Sequence, residues 1–348
     1  MTDNQNPESQ RIPVTILTGF LGSGKTTLLN QIIEKHKSTT RFAIVENEYG
    51  EMGIDGMLIS DHNTPVYELA NGCICCSLNT DFYDALLTIL EQPTPINHLL
   101  VETTGVADPM SVIDLFIANE LIVKNFQIDS VICLTDALNL EDMLGLEPEA
   151  RKQIALSDII LLNKIESIHK NKILELKKLI SGINPMAEII ETSYAFTNGT
   201  PLLHKFAYSQ RHIENSTLSF KSLEMDHDFI PGAYDSVLQK GMAHRHDIFA
   251  ESFVFDECFD EELFNIWMSS FLYFNQNTLY RVKGVLNFRN NGKRNIFQAV
   301  KGSYLCEEGS LWQDGEPRFS KIVFIGKYLD RSELEKNLQK LFVGKLAT

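Results

Sequence analysis

Eight consecutive residues, Gly19-Phe20-Leu21-Gly22-Ser23-Gly24-Lys25-Thr26, fit the pattern GxxxxGK followed by Ser or Thr. Each residue type at that spacing has a task in holding a polyphosphate. Glycines let backbone N–H groups converge on phosphate oxygens, Lys25 reaches the β- and γ-phosphates, and the Thr26 hydroxyl is a magnesium ligand. A helix expected to open at Thr27-Leu28-Leu29 adds the positive end of its dipole. Gly19, Gly22, Ser23, Gly24, Lys25, Thr26 and Thr27 are therefore the expected phosphate-binding set, with Lys25 and Thr26 also catalytic.

A phosphate loop does not name its base or its reaction, so other residues must complete the site. Leu99-Leu100-Val101 ends in Glu102, a carboxylate expected to hold magnesium or its water and to act in catalysis. Gly105, three residues on, is expected to offer an N–H to the terminal phosphate and to pivot on hydrolysis. Asp136, closing Val131 to Thr135, reads equally as a site residue and as a plain strand cap. After Ile159 to Leu162 come Asn163-Lys164-Ile165-Glu166, which resemble the NKxD base-reading signature of GTPases. Glu166 keeps the two acceptor oxygens of an aspartate but is one methylene longer, so GTP is expected with looser base discrimination.

A second kind of chemistry lies in Asn71-Gly72-Cys73-Ile74-Cys75-Cys76. Thiolates are soft donors suited to zinc or copper(I). An extended backbone puts Cys73 and Cys75 on one face and Cys76 on the other, so one ion held by all three needs a turn, which Gly72 permits. A reversible disulfide and plain packing are the alternatives. The acidic stretch Glu46-Asn47-Glu48-Tyr49-Gly50-Glu51 sits between phosphate loop and thiols, placed to sense the γ-phosphate and to lend a metal carboxylate.

Short, non-alternating apolar runs position these residues: Val14 to Leu17, Phe42 to Val45, Leu99 to Val101, Val131 to Leu134, Ile159 to Leu162 and Glu188 to Ile190. Strands buried on both faces look like this, and the intervals suit crossover helices. Residues 10 to about 205 are expected to form an α/β P-loop NTPase domain with a mostly parallel sheet. From residue 247 to 348 the texture changes. Ser252 to Phe255 alternates, Asp260 to Phe271 has helical spacing, and Leu279 to Phe288, an Asn291-Gly292 turn, Ile296 to Val300 and Lys321 to Ile325 read as strands. Asp330 with Glu333 marks a capping box ahead of a stripe of Leu334, Leu338 and Leu341. This predicts a smaller α+β domain, joined by a polar linker over 206–246 whose histidines, with His227, His244 and His246 among them, read as ordinary surface residues.

The formal net charge of −15 with no basic patch argues against nucleic acid as a partner. Neither a secretory leader nor a run long enough to span a bilayer is evident, and the clustered cysteines suit a reducing compartment; a cytoplasmic protein, off the membrane, is expected.

Taken together, TGFLGSGKTTLLN, IVENEYGE, NGCICC, LLVETTG and DIILLNKIE resemble, in order and spacing, the CobW/YjiA family of P-loop metal-chaperone GTPases, and YRVKGVLNF and KIVFIG resemble its C-terminal domain. The resemblance implies GTP hydrolysis with magnesium, coupled to delivery of zinc or cobalt to a client metalloprotein. It implies metal ligands at Cys73, Cys75 and Cys76, with Glu46 and Glu51 as an additional carboxylate site. It also implies nucleotide contacts at Gly22 to Thr27, Glu102, Gly105, Asn163, Lys164 and Glu166. A homo-oligomer is compatible with all of this. The rival reading is a nucleotide-gated metal buffer or sensor with negligible hydrolysis. Titrating GTP against ATP at fixed magnesium tests the base-reading motif: tighter GTP binding is expected, and tighter ATP binding would remove Glu166 from that role.

Overall fold

The computed structural model describes residues 11–47, 65–68, 78–105, 107–197, 199–208 and 248–342. The N-terminal part is built on a seven-stranded sheet: β1 (Ile12–Gly19), β2 (Phe42–Asn47), β3 (Val66–Glu68), β4 (His98–Thr103), β5 (Phe126–Asp136), β6 (Ile159–Asn163) and β7 (Glu188–Glu191). Their spatial order is β3-β2-β4-β1-β5-β6-β7. Pairing is parallel between β1 and both β4 and β5, between β2 and both β3 and β4, and between β5 and β6.

Both faces of this sheet are covered, which is why β4 and β6 are buried at every residue and carry no polar alternation. Helix α1 (Lys25–His36) lays Leu28, Leu29, Ile32 and Ile33 against Leu17, Phe42, Ile44, Leu100, Ile132 and Leu134. Helices α2 (Leu78–Leu90), α3 (Met110–Ala118), α4 (Glu120–Asn125), α5 (Leu140–Leu146), α6 (Pro148–Leu156) and α7 (Lys170–Ile183) lie in the connections from β3 to β7. The order places β1 between β4 and β5, so the loops at the carboxyl ends of these strands converge where open α/β sheets hold ligands.

The C-terminal sheet holds β8 (Phe249–Phe255), β9 (Leu279–Leu286), β10 (Lys293–Val300), β11 (Ser303–Leu311) and β12 (Ser320–Gly326) in the order β11-β10-β9-β12-β8, all its pairs antiparallel. Helices α8 (Glu261–Asn275) and α9 (Arg331–Gln339) pack on it around Phe253, Phe259, Phe264, Phe297 and Phe324. Asp260 and Asp330 cap the two helices, accepting from Leu263 N at 3.1 Å and Glu333 N at 2.9 Å. Leu334 and Leu338 are buried as their spacing predicts, and Leu341 is buried just beyond the helix.

Two strands carry no clear sequence signal. β3 is three residues long, and β11 mixes Glu307, Glu308 and Gly309 into an exposed edge strand, where charge is the normal protection against stray pairing. The chain divides into two compact units, and α7 together with Ile154–Leu156 groups with the C-terminal one. Most of the 206–246 stretch, with its histidines, lies outside the described residues. Among the described residues no helix is long and apolar enough to cross a membrane.

At the end of the sheet away from the phosphate loop, Thr15 Oγ1 donates to Asp129 Oδ2 at 3.2 Å and therefore accepts from His98 Nε2 at 2.8 Å. Asp129 also accepts from His204 N at 2.8 Å and Phe206 N at 2.7 Å, tying the 204–206 segment to the sheet. Burial, followed by the neighbouring His204 and His36, depresses the His98 pKa from 6.5 to about 3. The folded protein thus holds His98 neutral while the unfolded chain takes up a proton below its ordinary pKa, so stability is complete above pH 6.5 and falls with pH below it. Between pH 6.5 and 5 this single group removes about 2 kcal/mol. The unfolding free energy from urea titrations is expected to fall between these two pH values by about that much more in the wild type than in His98→Leu.

Candidate functional site

The phosphate loop turns directly out of β1. Gly19 ends the strand, Gly22 lies in the exposed turn, and Ser23 is buried beneath it. Gly24 is the N-cap of α1 with φ 107°, a left-handed backbone that favours glycine, and a Cβ there would sit 2.9 Å from Asn163 Nδ2. No side chain caps this helix and no acid stands in its first turn. Its first N–H groups and its positive dipole end are therefore directed at the loop. Lys25 begins the helix, largely buried, with Nζ donating to Phe20 O across the loop at 3.3 Å. Thr27 is exposed in the same turn.

The Thr26 hydroxyl donates to Glu102 Oε1 at 3.1 Å. The two residues come from neighbouring elements 76 positions apart in sequence, and together they offer a hydroxyl and a carboxylate, the hard oxygen donors magnesium takes. Ser23 Oγ and Thr104 Oγ1 are buried beside them without a hydrogen-bond partner among the described residues, so phosphate oxygens fit the donors that line this end of the sheet. Glu46, buried at the end of β2, stands in register with Glu102 on β4, so both carboxylates project on one face.

The base-reading stretch follows β6. Asn163 is buried and wholly engaged with protein: Nδ2 donates to Ser23 O at 2.9 Å, and Oδ1 accepts from Ala195 N at 2.9 Å and Thr192 Oγ1 at 3.2 Å. Lys164 adopts a left-handed backbone with φ 64°, and its Nζ bonds Asp136 Oδ2 at 2.8 Å. Asp136 further accepts from Leu138 N and Asn139 Nδ2, each at 3.0 Å. Burial opposes ionisation of Asp136, but the bonds from Lys164, Leu138 and Asn139 outweigh it and hold the pKa below the ordinary range. Glu166 is exposed in the 3-10 turn Ile165–Ser167, at the rim of this group.

Cys73, Cys75, Cys76 and Glu51 lie outside the described residues. Of the other cysteines, burial pushes the thiols of Cys133 and Cys306 up to about 12, so both stay protonated and are poor metal ligands. Among the described residues no group of three or more His, Cys, Asp or Glu side chains is arranged to hold a metal ion.

Two contributions go beyond what the sequence pattern assigns. Asp136 orients Lys164, a role that a cap position alone does not reveal. Gln153, buried on α6, donates to the Gly105 and Ala107 carbonyls, both at 3.1 Å, and nothing in an Arg-Lys-Gln run marks it out.

Parallel sheet, glycine-framed helix start, threonine–glutamate pair and base-side asparagine and lysine together define a P-loop GTPase. Residues 13–191 match the CobW/HypB/UreG nucleotide-binding domain, and residues 250–342 match the cobalamin synthesis protein cobW C-terminal domain. The chain belongs to the CobW/HypB/UreG family. It is 31% identical over 328 residues to the zinc chaperone YjiA of Escherichia coli K12, covering 93% of this chain and 96% of that one. Its likeness to the zinc-regulated GTPase metalloprotein activator 1 of Schizosaccharomyces pombe is 29% over 351 residues, covering 92% and 83%. The crystal structure of the Zn(II)-bound YjiA GTPase from E. coli superposes with a TM-score of 0.68 at 25% identity, covering 95% of this chain and 99% of that one.

Lys25→Ala removes the only cation of the phosphate-loop motif. Turnover of GTP is expected to fall at least about a hundredfold, with the thermal midpoint nearly unchanged; a phosphate-release assay beside a melting curve checks both.

Proposed function

We propose that this GTPase is a zinc metallochaperone: it binds the ion through Cys73, Cys75 and Cys76, aided by Glu46 and Glu51, and gives it to a client metalloprotein when GTP is hydrolysed. Cobalt is the second choice, as the family resemblance implies. The observation that carries the reading is the register across β3, β2 and β4. Glu46 pairs with Glu68 on one side and with Glu102 on the other, and Glu102 holds the Thr26 hydroxyl. Cys73 follows Glu68 by five residues, a span of at most about 17 Å, so the chain can bring the thiols to Glu46 and hence to the nucleotide end of the sheet. The names of the E. coli and S. pombe relatives, a zinc chaperone and a zinc-regulated GTPase, support the same choice of metal.

Each residue has a defined part in this scheme. The N–H groups of Gly22 to Thr27 bind the polyphosphate, and Lys25 neutralises charge that grows on the transferring phosphoryl. Thr26 and Glu102 would hold magnesium, which when bound adds electrostatic stabilisation to the same oxygens. Gly105 senses the terminal phosphate, while Asn163, Lys164 and Glu166 form the base side. Loss of that phosphate relaxes the strand ends bearing Glu46 and Glu102, which weakens the metal site. The domain division at about 205 and 247 and a cytoplasmic setting complete the proposal, with the C-terminal domain free to meet the client.

Zinc affinity measured by competition with a chelating dye, in GTP-analogue and GDP states, tests the coupling. The wild type is expected to hold zinc at least about tenfold more tightly in the GTP-analogue state, a coupling of about 1.4 kcal/mol. Cys75→Ala should weaken zinc in both states and leave GDP affinity intact. Equal zinc affinity in the two states would leave a GTPase without a metal switch.

A further inference from the structure

The turn that follows Glu102 is gripped from outside the nucleotide site. Gly105 presses on the phosphate loop so closely that a Cβ there would lie 2.5 Å from Leu21 N. Its carbonyl, and that of Ala107, both accept from Gln153 Nε2 at 3.1 Å. The preceding residue on α6, Lys152, pairs through Nζ with Asp108 Oδ2 at 3.1 Å. Gln153 is 1% exposed, and its own carbonyl accepts the Ser157 hydroxyl at 2.6 Å, which fixes the helix beneath it. Inside the turn, Ala107 N donates to Thr104 O at 3.0 Å, and Thr103 Oγ1 donates to Leu17 O on β1 at 3.3 Å.

The turn is therefore set between two surfaces. On one side the backbone of Leu21 limits how near Gly105 can come to the phosphate loop; on the other a single buried amide, with two donors in fixed geometry, limits how far it can retreat. A displacement of the turn by about 1 Å would break both Gln153 bonds while leaving the phosphate loop as it is. An error of that size in a group facing the reacting atoms is enough to cost up to about a hundredfold in rate.

We propose that Gln153 is a positioning residue for the GTPase reaction, holding the Gly105 and Ala107 carbonyls in register with the terminal phosphate while Lys152 secures the neighbouring Asp108. The proposal rests on the reading of Gly105 as the residue that senses that phosphate. It also explains the side-chain choice. Two carbonyls in convergent orientation need a neutral double donor, which glutamine supplies and glutamate does not.

Gln153→Met keeps the volume and removes both donors. With GTP and magnesium, kcat is expected to fall between about tenfold and a hundredfold, while GDP affinity, which does not involve the terminal phosphate, stays within about twofold. Lys152→Met, which leaves Gln153 in place, is expected to lower kcat several-fold with GDP affinity again unchanged. A folded Gln153→Met protein with wild-type kcat overturns the proposal. So does one in which GDP and a non-hydrolysable GTP analogue are weakened equally, in step with a lowered melting temperature, because that is what a purely structural amide would do. If Gln153→Met shows no cooperative melting transition, Lys152→Met decides: a lower kcat at constant GDP affinity upholds the clamp, and a wild-type kcat rejects it. Failure of the site reading looks different, since hydrogen exchange at the Gly105 amide of the wild type would then be the same with GDP as with a non-hydrolysable GTP analogue.

Discussion

The phosphate loop has no regular structure of its own, and it keeps its shape because the Asn163 side chain bonds it to the rest of the sheet. The amide donates to Ser23 O in the loop and accepts from Thr192 and Ala195 on the far side of β6. All three bonds are buried, so each lost partner would leave a desolvated polar group, at a cost of about 1–3 kcal/mol. Gly24 is needed for the same reason, since any Cβ would displace that amide from the loop. The helix start, the position of Lys25 and the Thr26–Glu102 contact all inherit their geometry from this tie.

Around it the charges are graded. Lys25 stands at the start of a helix with no acid in its first turn, while Glu46 and Glu102 are buried one strand apart. In a chain with a formal charge of −15, a local excess of N–H donors and one lysine makes a confined place where an anion is favoured, bordered by carboxylates suited to cations. The Asp136–Lys164 pair is separate from this gradient. Its carboxylate stays ionised under three hydrogen bonds, which keeps the lysine stem in one direction beside the base-side turn.

Much of the fold was legible because buried parallel strands impose an unambiguous pattern. Runs such as Leu99 to Val101 and Ile159 to Leu162 have no polar face to mislead, and each lies in a strand buried at every residue. β3 and β11 were not legible: a three-residue strand has too few residues to show a period, and an edge strand is free to carry glutamates. The grouping of α7 with the C-terminal unit was also hidden, since amphipathic spacing says that a face is buried and not against what. In the site, the phosphate-loop residues could be named one by one from type and spacing. Asn163 could be named too, but its attachment to Ser23 and Ala195 could not.

By itself the sequence determined the chemistry on offer: glycines and a lysine that can cradle phosphates, hydroxyl and carboxylate oxygens for a hard cation, and thiols for a soft one. These follow from residue type and local spacing, which the chain carries without folding. Which groups meet was decided only by the tertiary structure, through strand order and register. Thr26 reaches Glu102 across 76 residues, Glu46 falls opposite Glu102, and Gln153 finds Gly105 across 48. Such contacts depend on loop closure and packing summed over the whole sheet, and no short window of sequence holds that information.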